Sequence, residues 1–303
     1  MRTETAKLWA EFLAEFTRIH VYTVDPGAHA IALELAPMIE SMGLLTGWFA
    51  EGWSAKCRPT CRATSELYQS LTFDGTLILG SQTNFARTQS VLHEARSAHA
   101  RTIFVFDHWK NFGAHFGSAS LPEIIVVPDE IGKQMLLAEL GGHTRSRVQV
   151  LPHLALQAAE DRVRSYDVVS SGVIAVLLDP TELADDLGYD WRTTLDAVAE
   201  LAPARNEARI LVKPHPRQNT DEVSRELKRW SHRGIAYELF HGETEWLIAA
   251  ADEVWGMTTI ALNVALAAGK PIRSLQIGRN DKGRRASNPH IEPFAITELE
   301  GRT

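Results

Sequence analysis

The sequence predicts an α/β protein built from two doubly wound, Rossmann-like domains, and three observations carry that expectation. Short β-branched runs alternate with longer stretches of helical period along the whole chain. The short runs are almost continuously apolar, as strands must be when helices cover both faces of a parallel sheet. At 303 residues the chain holds about two domains of roughly 150 residues each.

The elements follow in order. An opening helix from about Thr5 to Arg18 puts Leu8, Trp9, Phe12, Leu13 and Phe16 on one face and Lys7, Glu11, Glu15 and Arg18 largely opposite. Packing on the first domain or on a partner subunit is favoured, because the polar face mixes acids with bases whereas membrane-surface helices favour Lys and Arg; peripheral membrane association is the alternative. Strands are then expected at Ile19 to Val24, Thr76 to Leu79, Thr102 to Phe106, Ile124 to Val127 and Val148 to Leu151, with helices near Ala28 to Met42 and Phe85 to Ala98. The rhythm repeats with strands at Val173 to Leu178, Arg209 to Val212, Ile235 to Leu239, Glu253 to Trp255 and Pro271 to Leu275. Helices are expected near Trp191 to Leu201, Thr220 to Arg229 and Thr259 to Ala268. Pro152 to Ser171 is polar (Glu160, Asp161, Arg162, Arg164, Ser170, Ser171) without a strand pattern, which predicts a linker around 155–170 and domains at 1–160 and 161–303.

Composition excludes several classes. With 45% hydrophobic and 23% charged residues the chain is neither disordered nor fibrous. Its longest aliphatic run, Val173 to Leu178, is far short of the roughly 20 residues of a membrane span. Charges at Arg2, Glu4, Lys7, Glu11 and Glu15 leave no signal-peptide core, so a cytoplasmic location is expected. Only Cys57 and Cys61 could pair, and one CxxxC is no disulfide framework. A net charge of -7 argues against general nucleic-acid binding, while leaving room for a local phosphate site.

The most informative segment runs Ile210-Leu-Val-Lys-Pro-His-Pro216. A buried strand there delivers Lys213 and His215, on a backbone stiffened by Pro214 and Pro216, to the carboxyl edge where ligands of open α/β sheets bind. One cation and one imidazole held in place suit a departing phosphate; the plainer alternative is a strand-end turn with a surface histidine. A second strand, Glu253 to Trp255, turns through Gly256 into a helix starting near Thr259, so Thr258 and Thr259 are phosphate-holding candidates, with helix capping as the alternative.

In the first half, Asp25-Pro-Gly-Ala-His29 follows the opening strand: Gly27 permits close approach of a ligand and His29 sits in the first helical turn. It lacks GxGxxG spacing and is no dinucleotide fingerprint. Leu79-Gly-Ser-Gln-Thr-Asn84 offers Ser81, Gln82 and Thr83 as donors at the same edge. Phe104-Val-Phe-Asp-His-Trp-Lys-Asn111 ends a buried strand in Asp107 and His108. Asp107 is a candidate general base facing an interdomain cleft, with capping of the next turn as the alternative; His108 anchors the loop or touches substrate. DxD at a strand end, HExxH, GxxxxGK[ST] and GxSxG are all missing, and no histidine set has metal-ligand spacing, so no metal or resident cofactor is expected.

On these residues the sequence resembles the GT-B class of metal-independent glycosyltransferases of bacterial surface-polysaccharide synthesis. It is most similar to the group with a strand-end His-Pro motif and a downstream Ser/Thr turn, such as bacterial sialyltransferases and capsular Kdo transferases; CDP-glycerol phosphotransferases are also similar. The match is one of order: Lys213 to Pro216, then Thr258 and Thr259, with Asp107 for the first domain's acid. The strand ends Asp107-His108-Trp109, where the sialyltransferases carry an acidic-acidic-Gly motif. Leu121 to Glu130, Leu178-Asp-Pro-Thr181 and Leu187-Gly-Tyr-Asp190 also look like segments of polysaccharide-biosynthesis proteins.

The resemblance implies two domains facing a cleft, the first on the acceptor side and the second binding a nucleotide-sugar donor, a CMP-sugar by preference. His215, Lys213, Pro216 and the Thr258/Thr259 turn would then hold the leaving phosphate without a metal, Asp107 would be the base, and Gly27, His29, Ser81 and His108 would line the acceptor side. The acceptor would be a saccharide or glycolipid. The alternatives are a UDP-sugar epimerase or hydrolase, a CDP-alcohol phosphotransferase, and a non-catalytic nucleotide-sugar-binding module.

Overall fold

The computed structural model describes residues 2–58, 60–71, 74–109, 111–116, 121–142, 144–169, 172–179, 190–204, 208–231, 234–278 and 288–299. Of the sequence stretches already named, Lys110, Ser170, Ser171, Pro180, Thr181 and Leu187 to Tyr189 lie outside the described residues.

The chain divides into two compact units, Met1–Ala158 and Ala159–Thr303. In the first unit the strands are β1 (Ile19–Thr23), β2 (Leu45–Ala50), β3 (Thr76–Gly80), β4 (Arg101–Val105), β5 (Ile124–Val127) and β6 (Arg147–Val150). They form one six-stranded sheet in the order β2-β1-β3-β4-β5-β6, every pairing parallel. Period-two alternation splits the strands between two cores. Ile19, Val21, Ile78, Ile103, Val105, Ile124 and Val126 face helices Arg2–Leu13 and Pro26–Ser41. Tyr22, Leu77, Leu79, Phe104, Ile125 and Val127 face helices Phe85–Ser97 and Glu130–Glu139. Both faces are therefore apolar, and each fully buried aliphatic side chain contributes about 1.5–3 kcal/mol.

The opening helix closes over the first core. Trp9, Phe12, Leu13 and Phe16 are buried there, and Trp9 Nε1 donates to the Pro152 carbonyl at 2.8 Å. Helix Pro26–Ser41 lies so close to β3 that a Cβ on Gly80 would fall 2.4 Å from that of Ala28, which fixes glycine at the end of β3.

The second unit repeats the plan with β7 (Val173–Leu177), β8 (Arg209–Lys213), β9 (Tyr237–Leu239), β10 (Glu253–Gly256), β11 (Ile272–Leu275) and β12 (Ala295–Ile296). The order is β12-β11-β10-β7-β8-β9, again parallel throughout. Ile174, Val176, Ile210, Val212 and Trp255 pack with Leu195 and Val198 of helix Trp191–Leu201 and with Val223, Leu227 and Trp230 of helix Thr220–Ser231. The expected α/β class with two Rossmann-like halves is what the structure has.

Two local readings need correction. Residues 155–170, read as a linker, are helical through Ser165: Leu154, Ala158, Ala159 and Val163 are all buried along that helix, and the charges between them mask its apolar positions in the sequence. Edge strand β2 escaped the pattern because Gly47 interrupts it and its first half is not buried. Its outer side is satisfied by Arg62, whose N–H donates to the Trp48 carbonyl at 2.9 Å and whose carbonyl accepts from Ala50 at 3.2 Å. Among the described residues no helix is long and apolar enough to cross a membrane.

Candidate functional site

In each sheet the strand order reverses once, between β1 and β3 in the first unit and between β7 and β10 in the second. Loops leaving neighbouring strands at such a point diverge and open a crevice at the carboxyl edge. Each crevice is bridged in the same way. In the first unit the Thr83 N–H, after β3, donates to Asp25 Oδ2, after β1, at 2.7 Å. In the second the Thr258 N–H, after β10, donates to Asp179 Oδ2, after β7, at 3.1 Å.

The first edge gathers Gly27, Ser81, Gln82, Asp107 and His108. The Ser81 hydroxyl donates to Asp107 Oδ1, and the Asp107 N–H points back to Ser81 Oγ at 3.4 Å. Asp107 lies directly over the first turn of helix Pro26–Ser41, where a Cβ at Gly27 would fall 1.4 Å from Asp107 Oδ2. Gly27 is thus needed for the carboxylate to seat, a close approach made by the protein's own acid. His153 Nε2 donates to the Asp107 carbonyl at 3.0 Å, while its Nδ1 accepts from the Leu156 N–H at 3.1 Å, so its tautomer is fixed. Burial holds its pKa below the usual range. Trp109 Nε1 bonds Asp129 Oδ2 at 2.8 Å, pinning the far side of the loop. The His108 ring stands 3.7 Å from Asp107 Oδ1.

Gln82 is 4% exposed and neither of its amide atoms is bonded among the described residues, which leaves a donor and an acceptor at this edge. His29 is buried with its ring 5.3 Å from that of Trp48 and 5.5 Å from that of Trp53. Its pKa is lowered by burial first and by Arg58 second. His115 is buried among phenylalanines with both nitrogens unpartnered, and burial drives its pKa down to about 3.

The second edge is built around a proline-bounded turn after β8. The Gln218 N–H donates to the His215 carbonyl at 2.8 Å with Pro216 at the first inner position of the turn, and the His215 N–H donates to Gln218 Oε1 at 2.7 Å. His215 Nδ1 accepts from the Arg217 N–H at 3.2 Å, which puts the ring proton on Nε2. Burial, aided by Arg217, pushes the pKa of His215 down to about 4, so the ring is neutral at pH 7. His215 thereby presents an N–H donor without a positive charge.

Lys213 is not aimed outward in the same way. Its ammonium donates to the Gly242 carbonyl and lies 5.6 Å over the Phe240 ring, and burial lowers its pKa. Thr259 Oγ1 accepts from the Ala261 N–H at 3.4 Å and caps helix Ile260–Ala267. The Thr258 N–H is engaged by Asp179, which is 4% exposed. Gly256 is held by crowding, since a Cβ there would meet the Leu177 carbonyl at 2.8 Å.

Reading by motif passed over Asp179, His153, Asp129 and Gln218. Asp179 had a legible signal, an acid directly after the apolar run of β7. Gln218 and His153 had none, because their partners lie in turns and loops whose path the sequence does not give.

No family model matches this chain, and no curated protein matches it in sequence. Solved structures do match. The UDP-GlcNAc 2-epimerase of Methanocaldococcus jannaschii, in complex with UDP-GlcNAc and UDP, is similar at TM-score 0.64 and 12% identity over 92% of this chain and 88% of that one. The fold is shared. The UDP-GlcNAc 2-epimerase of Neisseria meningitidis bound to UDP-GlcNAc is similar at TM-score 0.57 and 12% identity, over 84% of this chain and 81% of that one. A trehalose-6-phosphate protein of E. coli bound with UDP-2-fluoro glucose is similar at TM-score 0.51 and 11% identity, over 84% of each chain. These proteins have the GT-B fold, the class that the order of motifs implied.

Proposed function

We propose that this chain is a GT-B glycosyltransferase that moves a sugar from a nucleotide-activated donor to a saccharide acceptor. The observation that carries the reading is His215: a neutral imidazole whose Nε2–H has no partner among the described residues, locked by Gln218 and Arg217 at the carboxyl edge of the second unit's sheet. A neutral donor of this kind bonds a diphosphate in the bound state and bonds it more strongly as charge develops on the leaving oxygen. The Thr258 hydroxyl, on the same edge, is a second donor for the phosphate. Lys213 adds positive charge from behind Phe240, and Pro216 and Thr259 keep the two turns in place.

In the first unit, Asp107 serves as general base toward an acceptor hydroxyl. Ser81 and the Gly27 turn orient it, His108 stands beside it, and Gln82 offers its amide to the acceptor. The expected donor is a CMP-sugar and the expected setting surface-glycan synthesis; the UDP-sugars bound to the similar folds favour UDP as the nucleotide to test beside CMP. No metal is assigned to the phosphate, whose charge the second edge meets with His215, Lys213 and Thr258.

A thermal-shift panel with CMP, CDP, UDP and GDP tests the donor. A bound nucleotide at about 100 times its dissociation constant raises stability by roughly 2.7 kcal/mol, and no shift with any of the four would remove the reading. Transfer should persist in EDTA; loss in chelator with recovery on adding magnesium or manganese would take the phosphate away from His215 and Lys213. The similarity to two UDP-GlcNAc 2-epimerases supports a second reading, epimerisation of a UDP-sugar. An epimerase converts the UDP-sugar with no acceptor present, whereas the transferase requires one.

A further inference from the structure

The corner of the first unit formed by Trp48, Trp53 and Arg58 has no part in the proposed transfer chemistry. Trp48 lies in β2 and is anchored by Nε1 donating to Thr23 Oγ1 at 3.0 Å. Helix Gly52–Cys57 follows directly and is tied to the end of β1 by the Ser54 N–H donating to the Val24 carbonyl at 3.0 Å. The corner therefore lies on the same carboxyl edge that carries Asp25, Gly27 and Asp107.

Three features there are unspent. The Arg58 guanidinium sits 4.3 Å over the Trp48 ring and makes no ion pair or hydrogen bond among the described residues. Lys56 is exposed and likewise has no acidic partner among them. The acids around it are committed elsewhere: Glu51 to Arg87 and Tyr22, Glu66 to Arg62 at 3.0 Å. In a chain of net charge -7, two cations two positions apart and without acid partners among the described residues offer charge to an anion. The third feature is His29, 4% exposed, whose ring lies against both Trp48 and Trp53 with Nδ1 unpartnered. Trp53 is only half-buried.

We propose that this corner binds an acidic saccharide, with a sugar ring stacked on Trp53 and its carboxylate or phosphate group on Arg58, assisted by Lys56. An indole face suits the C–H side of a pyranose, and a guanidinium held 4.3 Å over Trp48 keeps its N–H donors for an anion. The inference deepens the proposed transferase reading by giving the acceptor a charge, and it rests on that reading for the word acceptor alone.

The probes are a tetrasaccharide of alternating glucuronate and N-acetylglucosamine, the neutral tetramer of N-acetylglucosamine, and glucose 6-phosphate, followed by tryptophan fluorescence and calorimetry. The acidic tetrasaccharide should bind at least tenfold more tightly than the neutral one and weaken with added salt. Arg58→Gln should remove that tenfold preference while leaving the neutral tetramer unchanged, and Arg58→Lys should restore part of it. Trp53→Leu should weaken both tetrasaccharides. Binding of glucose 6-phosphate but not of the glucuronate chain would assign the anion as phosphate; the reverse would assign it as carboxylate.

Equal affinity for acidic and neutral chains, insensitivity to Arg58→Gln, or no binding of either acidic probe would overturn the proposal. If a variant does not fold, the salt dependence of binding to the unsubstituted protein makes the same distinction. The nucleotide panel is read separately: nucleotide binding without saccharide preference fails this proposal alone, and saccharide preference without nucleotide binding fails the transferase reading alone.

Discussion

The carboxyl edges of the two sheets are built alike and equipped differently. Both close the point of strand reversal with an aspartate accepting a backbone N–H from the neighbouring loop, Asp25 from Thr83 and Asp179 from Thr258. Beyond that shared bond, the first edge presents a carboxylate, Asp107, seated on Gly27 and held by Ser81. The second presents a neutral imidazole, His215, with the Lys213 ammonium bonded to the Gly242 carbonyl. The frame thus sets where the loops emerge, and a few loop residues set which charge each edge carries. In the proposed transfer reaction one edge takes a proton and the other holds a phosphate.

The largest expected effect tests the first edge. Asp107→Asn keeps the shape and the Ser81 contact but removes the basic carboxylate, so turnover should fall about a hundredfold or more while nucleotide affinity holds. Near-normal turnover of the variant with a working acceptor would move the base elsewhere, to His29 or His108 in turn.

Acid should distinguish the two units next. A histidine whose folded pKa lies below its unfolded value binds fewer protons when folded, so its stabilisation is whole above about pH 6.5 and declines as pH falls toward the folded pKa. In the first unit His20, His29, His115 and His153 are all depressed chiefly by burial, and in the second His215 is depressed in the same way. With its pKa near 3, His115 alone should cost about 2 kcal/mol at pH 5. Hydrogen exchange at pH 7 and pH 5 should show protection lost first in β1, β3 and β4, and equal loss in β7, β8 and β10 would break the contrast.

The shared bonds should then prove unequal in strength. Asp179 is 4% exposed and its loss strands a polar group at the reversal point, so Asp179→Ala should cost about 1–3 kcal/mol. The Asp25 bond is exposed, and Asp25→Ala should cost less than about 1 kcal/mol by urea unfolding. Two further effects lie within the second edge. His215→Ala should weaken nucleotide binding about tenfold, roughly 1.4 kcal/mol, by calorimetry. Lys213→Gln should change it less than about threefold, since its ammonium is already spent on Gly242. Reversal of that order would make Lys213 the phosphate ligand.

By itself the sequence determined the class and the positions of the edges. Strands buried on both faces must be apolar at every position, so Val173 to Leu178 and Ile124 to Val127 announce themselves, and the residue after each run must fall at the carboxyl edge. That is why Asp107, Ser81, His215 and Thr258 were legible as candidates. Strand β2 and helix Leu154–Ser165 were not, because Gly47 and the charged residues between Leu154 and Val163 hide their period. Only the tertiary structure decided which candidates have their bonds already spent. Asp179 takes the Thr258 N–H, Gly242 takes the Lys213 ammonium, and Asp107 fills the space above Gly27, while His215 Nε2 and the Gln82 amide have no partner among the described residues. A hydrogen bond is a fact of distance and direction between groups far apart in the chain, and periodicity carries only the local rhythm from which those distances are assembled.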